Sequence, residues 1–474
     1  MSLSVKISTS VKTFAGLSVM ALALQSFMPA FAQFKIPKME TSVLANGMKI
    51  IFIPQEEVPL THVTLGIATG SAADGTKWGL TSLTADALTL GTKSYTKQVI
   101  EDTFDFYGID FETSVNKDYL TIDASVASAD LPKFLPILFE LVTAPKFPVK
   151  EVDKLRDRTV SQLKKGKESP NQIANSVFQR MYYQNHPYGS PEVGVAETVQ
   201  TLKAADLAAF HASHFQPQIA ALTIAGAFDG AQVKALIQKN FNLWKTGPAK
   251  PLVVAAPGEA PSKTEVLLLD KDDSRETTFR IGGAGMPSFD KDWVKLNVIN
   301  TILGGRFTSL LNEELRIKSG YTYGARSRFN DWRSSGTFFI STFTATDTTF
   351  KTLDLALATY KKFLIEGIDQ KTLDSAKAYV KGQFPPQYET LASLGDLATE
   401  MWVYGVPIEQ FNSFESQVDS LTLAEANQLI KTRLPKDNLN ILMIGKGKEL
   451  SAEAKKYGAF RQLPIARVDQ SKAL

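Results

Sequence analysis

The sequence predicts an α+β protein built twice over, and three observations carry that prediction. Segments such as YLTIDASVAS and GTFFISTFTA alternate apolar and polar residues as strands do. Others repeat at helical spacing, and the two kinds do not alternate regularly. VQTLKAADLAAFHASHFQPQIAALTIAG, Val199 to Gly226, aligns without a gap to VDSLTLAEANQLIKTRLPKDNLNILMIG, Val418 to Gly445. Between the copies, KTGPAKPLVVAAPGEAPSKTE at 245–265 is rich in proline and has no period, so it reads as a linker. The expected organisation is two homologous domains from an internal duplication, 33–244 and 266–474, each a mixed, mainly antiparallel sheet packed with helices.

The chain begins MSLSVKISTSVKTFAGLSVMALALQSFMPAFAQ, with two lysines, a short apolar run and an Ala-Phe-Ala site before Gln33. That order describes a secretory signal peptide over 1–32. Export is expected, to the periplasm if the source is a Gram-negative bacterium. No second apolar stretch of membrane length follows, so no stable membrane insertion is expected after cleavage. LANGMKIIFIP then offers an Asn46-Gly47 turn ahead of a strand, and THVTLGIATGS a second strand. Helices are expected at 79–90, 97–107, near 131–143 and at 149–165. In the second half TEVLLLD and TTFRIGGAG read as strands, with helices near 291–303 and 308–318.

Composition removes several kinds of chemistry. There is no cysteine, which excludes disulfides, a thiol nucleophile and thiolate metal ligands. The net charge is only +3, and nothing in its distribution suggests nucleic acid. No G-x-S-x-G elbow occurs. Of the histidines, His211 and His214 have metal-ligand spacing, but no third ligand accompanies them and the second copy has Ile430 and Arg433 there. His186, in a Pro/Gly loop, reads as structural.

LGGRFTSLLNEELRIKSGYTYGARSRF, Leu303 to Phe329, carries more information. A Gly-Gly pair breaks one helix, and a Ser/Thr-rich turn starts the next, which ends at Gly320 and gives way to an aromatic strand. Arg316 falls in the last turn of that helix and Tyr323 on the strand. Such a pair offers fixed donors to peptide carbonyls if it faces a cleft. The same residues also suit a helix C-terminus and a core aromatic.

That stretch resembles the pitrilysin/insulinase family of inverted zinc peptidases, and LANGMKIIF, NHPYGSPEVG and the duplicated halves resemble it too. The resemblance implies an H-x-x-E-H helix in the first half, in the frame G-L-x-H-x-x-E-H-x-x-x-x-G-T. GLTSLTADALTLGT, residues 79–92, fits the frame with Ser82, Ala85 and Asp86 in place of the ligands and the catalytic glutamate. The third ligand is implied near Ser161 to Lys165, SQLKK, which contains no carboxylate. By resemblance, this chain holds no zinc and the zinc belongs to a homologous H-x-x-E-H partner. Arg316 and Tyr323 are then the residues lent to that partner's active site, with Gly304, Gly305, Arg306 and Phe307 as a mobile loop touching peptide substrates. An inactive scaffold and a homodimeric peptide-binding protein are the alternatives.

Overall fold

The computed structural model describes residues 34–248, 252–258 and 262–472. The signal segment expected at 1–32 and parts of the 245–265 linker lie outside the described residues. Two six-stranded sheets form the frame. The first contains β1 (Glu40–Val43), β2 (Lys49–Pro54), β3 (Leu60–Ile67), β4 (Asp110–Val115), β5 (Leu120–Ala127) and β6 (Ala220–Gly226), in the order β1-β2-β6-β3-β5-β4. The second contains β7 (Glu265–Asp270), β8 (Glu276–Ala284), β9 (Ala325–Asp331), β10 (Gly336–Ala345), β11 (Asn440–Gly445) and β12 (Ala459–Pro464), in the order β12-β7-β11-β8-β10-β9.

Five strands of each sheet correspond, and the duplication is visible in them. β2 runs parallel to β6 as β7 does to β11, and the remaining pairs among these five are antiparallel in both sheets. The outer strand beside β2 or β7 differs. β1 folds back onto β2 through the Asn46-Gly47 turn, where Gly47 has φ 89°, whereas β12 returns from the end of the chain to lie parallel to β7. The α+β prediction therefore describes the molecule. The helices expected at 97–107 and 131–143 run Lys97–Tyr107 and Leu131–Thr143, while the one at 79–90 is α1 (Leu80–Asp86) followed by a tighter 3₁₀ turn to Leu90.

Each sheet presents one face to helices of its own half and the other to a helix from the opposite half. α2 (Val149–Gly166) belongs to the first half's own helical layer. The next helix, α3 (Pro170–Tyr183), crosses over, and its Ile173, Val177, Phe178 and Met181 bury against Leu267, Leu269, Phe339, Leu442 and Ile444 of the second sheet. Burial of such a side chain stabilises by roughly 1.5–3 kcal/mol. The counterpart α4 (Leu391–Tyr404) starts at a capping box, Ser393 N donating to Thr390 Oγ1 at 3.1 Å and Thr390 N to Ser393 Oγ at 3.2 Å. It lies across β3 and β6 of the first sheet.

The fit of α4 depends on small residues. A β-carbon at Gly395 would stand 2.3 Å from Thr64 Oγ1, and one at Gly66 would stand 2.4 Å from Thr399 Cγ2. A buried carboxylate adds a polar tie between the halves. Asp118 accepts from Tyr188 Oη at 2.7 Å, from Tyr404 Oη at 3.0 Å and from the Arg333 amide at 2.8 Å. Gly395→Leu is expected to lift α4 from β3 and destabilise the chain by about 1–3 kcal/mol, as overpacking does. Chemical denaturation with an unchanged midpoint would show that this seat is not close-packed.

Candidate functional site

α1 is held in place from its N-terminal side. Asp74, buried ahead of it, accepts from Gly79 N at 2.7 Å, Thr81 N at 2.9 Å and Thr81 Oγ1 at 2.5 Å, satisfying amides the helix leaves free. Burial outweighs those hydrogen bonds and pushes the Asp74 carboxyl up to about 6. Leu80, Leu83, Ala87 and Leu90 face the core. The opposite face bears the three positions of interest. Ser82 Oγ donates to the Glu192 carbonyl at 2.7 Å, Ala85 is fully buried, and Asp86 accepts from Thr113 Oγ1 at 2.8 Å. Desolvation raises the Asp86 carboxyl, with Arg158 opposing the shift, although the residue keeps contact with solvent.

Beside Asp86 is a cavity of about 480 Å³, also lined by Thr159 and Gln162 of α2, Asn175 and Gln179 of α3, and Glu192. This is the ground a zinc ion would need. Catalytic zinc requires three good protein ligands and an open water position. Here the Ser82 hydroxyl is spent on a carbonyl, Ala85 offers only a methyl group, α2 contributes the neutral Gln162, and the two carboxylates are engaged, Asp86 by Thr113 and Glu192 by Lys117 at 3.0 Å. The donor set does not fit zinc. Among the described residues no group of three or more His, Asp or Glu side chains could hold a metal ion.

Arg316 and Tyr323 line a single cavity of about 580 Å³, together with Glu276, Tyr321, Phe343 and Asp347. The geometry around them differs from the sequence expectation in two respects. Tyr323 is not on the strand but in a bend before it, 81% exposed. The reason is local: Thr322 Oγ1 accepts from Gly324 N at 3.1 Å and the Ala325 amide goes to Asn312 Oδ1 at 2.9 Å, so pairing with β10 starts only at Ala325 opposite Thr342. The amides of Tyr321 and Thr322 both donate to the Leu315 carbonyl, at 3.0 and 3.2 Å, tying the bend to the turn that carries Arg316.

The second difference concerns the glycines. The helix Trp293–Asn300 does not break at Gly304 and Gly305 but continues into a π-helical turn, Thr301–Gly305, and the chain leaves it at Arg306. Leu303 and Gly304 are buried there, so the segment is a packed turn and not a loop. Glycine serves close approach, since a β-carbon at Gly304 would stand 2.2 Å from Ser327 N. Arg306 turns away from the cavity, its Nη1 donating to Ser375 Oγ at 3.1 Å and its guanidinium 5.8 Å from the Tyr379 ring. Phe307 joins the Arg/Tyr group, with the Arg316 guanidinium 4.7 Å from its ring centre. The structure thus brings Arg316 together with Tyr323 in one cavity and with Phe307 beside it, buries Gly304 in the packing behind them, and leaves Gly305 and Arg306 outside that cavity.

The histidines with metal-ligand spacing are engaged elsewhere. His211 Nε2 lies 2.8 Å from the Val142 carbonyl, and burial lowers its pKa to about 4. His214 stacks on Phe210 at 4.1 Å. His186 bridges the Tyr188 amide and the Ala255 carbonyl, as a structural residue does.

Sequence reading missed a third cavity, of about 500 Å³, between the first sheet and α4. His62, Asp110, Glu112 and Asp123 reach it from the strands and Asp396 from α4. The available signal was the alternation of acids in DFETSV, which marks one strand face but not what covers it. Glu400, one turn beyond Asp396 on α4, is pushed up to about 7 by burial and by Asp331 and Asp396. Its neutral form is the one folding favours, so this contribution is full below about pH 4.5 and is lost as the pH rises through 7. Glu400→Gln should therefore stabilise the protein at pH 8 by roughly 1–3 kcal/mol and have little effect at pH 4, as measured by thermal unfolding across pH. An equal effect at both pH values would sink the assignment.

Comparison with known proteins defines the class. Residues 50–194 match the family described as Insulinase (Peptidase family M16), and residues 201–380 match the Peptidase M16 inactive domain. The chain belongs to the peptidase M16 family. Among curated relatives it is similar to "Non-peptidase homolog YmxG" of Helicobacter pylori, 23% identical over 415 residues that cover 85% of this chain and 94% of that one. It is also similar to "Uncharacterized zinc protease YmxG" of Bacillus subtilis, 23% identical over 73% of this chain and 84% of that one. Among solved structures, a peptidase M16 inactive domain from Pseudomonas fluorescens superposes with a TM-score of 0.80 at 25% identity, over 86% of this chain and 98% of that one. A protease from Helicobacter pylori shares the fold, with a TM-score of 0.78 at 19% identity, over 86% of this chain and 100% of that one.

Proposed function

We propose that this chain is the non-zinc subunit of an exported heterodimeric M16 metallopeptidase, which it completes by lending Arg316 and Tyr323 to the active site of an H-x-x-E-H partner. The observation that carries this reading is the contrast between the two sites. At Ser82, Ala85 and Asp86 the donors for zinc are missing or occupied, while Arg316 and the exposed Tyr323 open onto one cavity with their backbone fixed by paired hydrogen bonds. The relatives named as a non-peptidase homolog and an inactive domain support the first half of it.

In this reading zinc and its water reside in the partner, and this chain's residues act on the peptide. Tyr323 Oη donates to the scissile carbonyl oxygen as negative charge develops there. Arg316, steadied over Phe307, holds a neighbouring carbonyl and sets the register of the chain being cut. Periplasmic localisation in a Gram-negative source follows from the signal segment read in the sequence. No helix among the described residues is long and apolar enough to cross a membrane.

Two measurements test the proposal. The purified chain should contain no stoichiometric zinc by elemental analysis and show no zinc-dependent peptidase activity; either finding would overturn the assignment of zinc to a partner. In the reconstituted complex, Tyr323→Phe should lower turnover by about 10²- to 10³-fold. Full activity of that variant would leave the scaffold reading, in which the chain supports its partner without touching substrate.

A further inference from the structure

The second sheet carries an arrangement of charge that the Arg316/Tyr323 site does not account for. β9 is an edge strand of that sheet, begins two residues after Tyr323, and has Asn300 Nδ2 donating to its Ser327 carbonyl at 3.1 Å. Its Arg328 stands opposite Phe339 of β10, and its Arg326 opposite Ser341, which in turn stands opposite Arg280 of β8. Directly paired residues share a face, so all three arginines lie on one side of the sheet. Phe339 on that side packs on Phe178 of α3, with ring centres 5.4 Å apart, so the row faces the first half.

The row lacks acidic partners. Arg280, nine-tenths buried, donates from Nε to Asn175 Oδ1 at 2.7 Å and from Nη1 to the Phe279 carbonyl at 2.8 Å. Its guanidinium and that of Arg328 lie 5.8 and 5.9 Å from the same Phe339 ring centre. Among the described residues, no carboxylate forms an ion pair with Arg280, Arg326 or Arg328, and burial together with the like charge of Arg328 lowers Arg280 to about 10. Two cations sharing one ring repel each other, and an anion between them would reverse the sign of that interaction. Arg326 and Arg328 are exposed and can reach such an anion.

The corresponding face of the first sheet carries acids instead of arginines. Thr223 of β6 and Leu442 of β11 are equivalent in the repeat, and they stand opposite Thr64 and Arg280. Following the register outward matches Asp123 to Ser341 and Glu112 to Arg326. Glu112 thus stands in one sheet where Arg326 stands in its copy, Asp123 where Ser341 does, and Thr64 where Arg280 does.

We infer that Arg280, Arg326 and Arg328 form an anion subsite that takes a carboxylate of the bound peptide, from its C-terminus or from an acidic side chain. The inference rests on the reading of the chain as a peptide-handling subunit. Guanidinium groups present paired donors matched to a carboxylate. Arg326 lies three residues beyond Tyr323, about 10 Å along an extended chain. A peptide with a carbonyl at Tyr323 and running past the arginine face of β9 therefore brings a carboxylate a few residues away onto the row.

The test is fluorescence polarisation on the full mature chain with three labelled peptides of one core sequence. One has a free C-terminus and no Asp or Glu, one is C-terminally amidated and has none, and one is amidated and contains a single Glu. At least one carboxylate peptide should bind about tenfold or more tightly than the neutral amide, and in Arg326→Gln/Arg328→Gln the preference should shrink to about twofold or less, given the usual strength of charged hydrogen bonds. Whichever of the two carboxylates carries the preference identifies its source. Equal binding of all three peptides, no binding of any, or a preference that survives in the double variant would each overturn the subsite. Carboxylate preference without turnover in any zinc-bearing complex would support the subsite and count instead against the peptidase role.

Discussion

The exchange of helices between the two halves is the constraint on which the rest of the molecule depends. Without α3 the second sheet would expose Leu267, Leu269, Leu442 and Ile444, and without α4 the first would lose the cover over β3 and β6. Neither half completes its own two-sided sheet, and Asp118 ties the exchange with three hydrogen bonds that converge from both halves. Several of the sites described above are placed by this arrangement, whereas the Arg316/Tyr323 cavity is built within the second half alone. The cavity beside α1, the acidic cavity under α4 and the arginine row facing α3 all lie along the surfaces where one half meets the other.

Much of this was legible in the sequence because the duplication left a direct signal. The ungapped match of Val199–Gly226 to Val418–Gly445 corresponds to a helix and central strand in each half, Ala204–His214 with β6 and Leu423–Arg433 with β11. The helix expected at 97–107 runs Lys97–Tyr107, and the one expected near 131–143 runs Leu131–Thr143. The helix α1 was legible too, because its leucines keep helical spacing and point to the core.

What the sequence did not reveal depends on partners distant along the chain. The conformational freedom of glycine suggested a flexible loop at Gly304, but Ser327, which requires glycine there, approaches from another strand. Tyr323 follows a helix and precedes a strand, and only the hydrogen bonds of Thr322 and Asn312 decide that it belongs to neither. The arginine row is assembled from two strands and the acidic cavity from three strands and a helix, so neither forms a contiguous motif. Local pattern gives the face of a strand, and the register between strands gives the site.

The way α1 is packed also bears on what the chain can be made to do. Ser82 is bonded to a carbonyl, Ala85 is sealed in the interior, and Asp86 is shared with Thr113, so each position now answers to its neighbours. Putting back a glutamate at 85 would force a carboxylate into space that holds only a methyl group, and histidines at 82 and 86 would surrender the contacts that replaced them. The helix is locked by its neighbours: building metal ligands onto it would demand several changes at once, each unfavourable until the others were made.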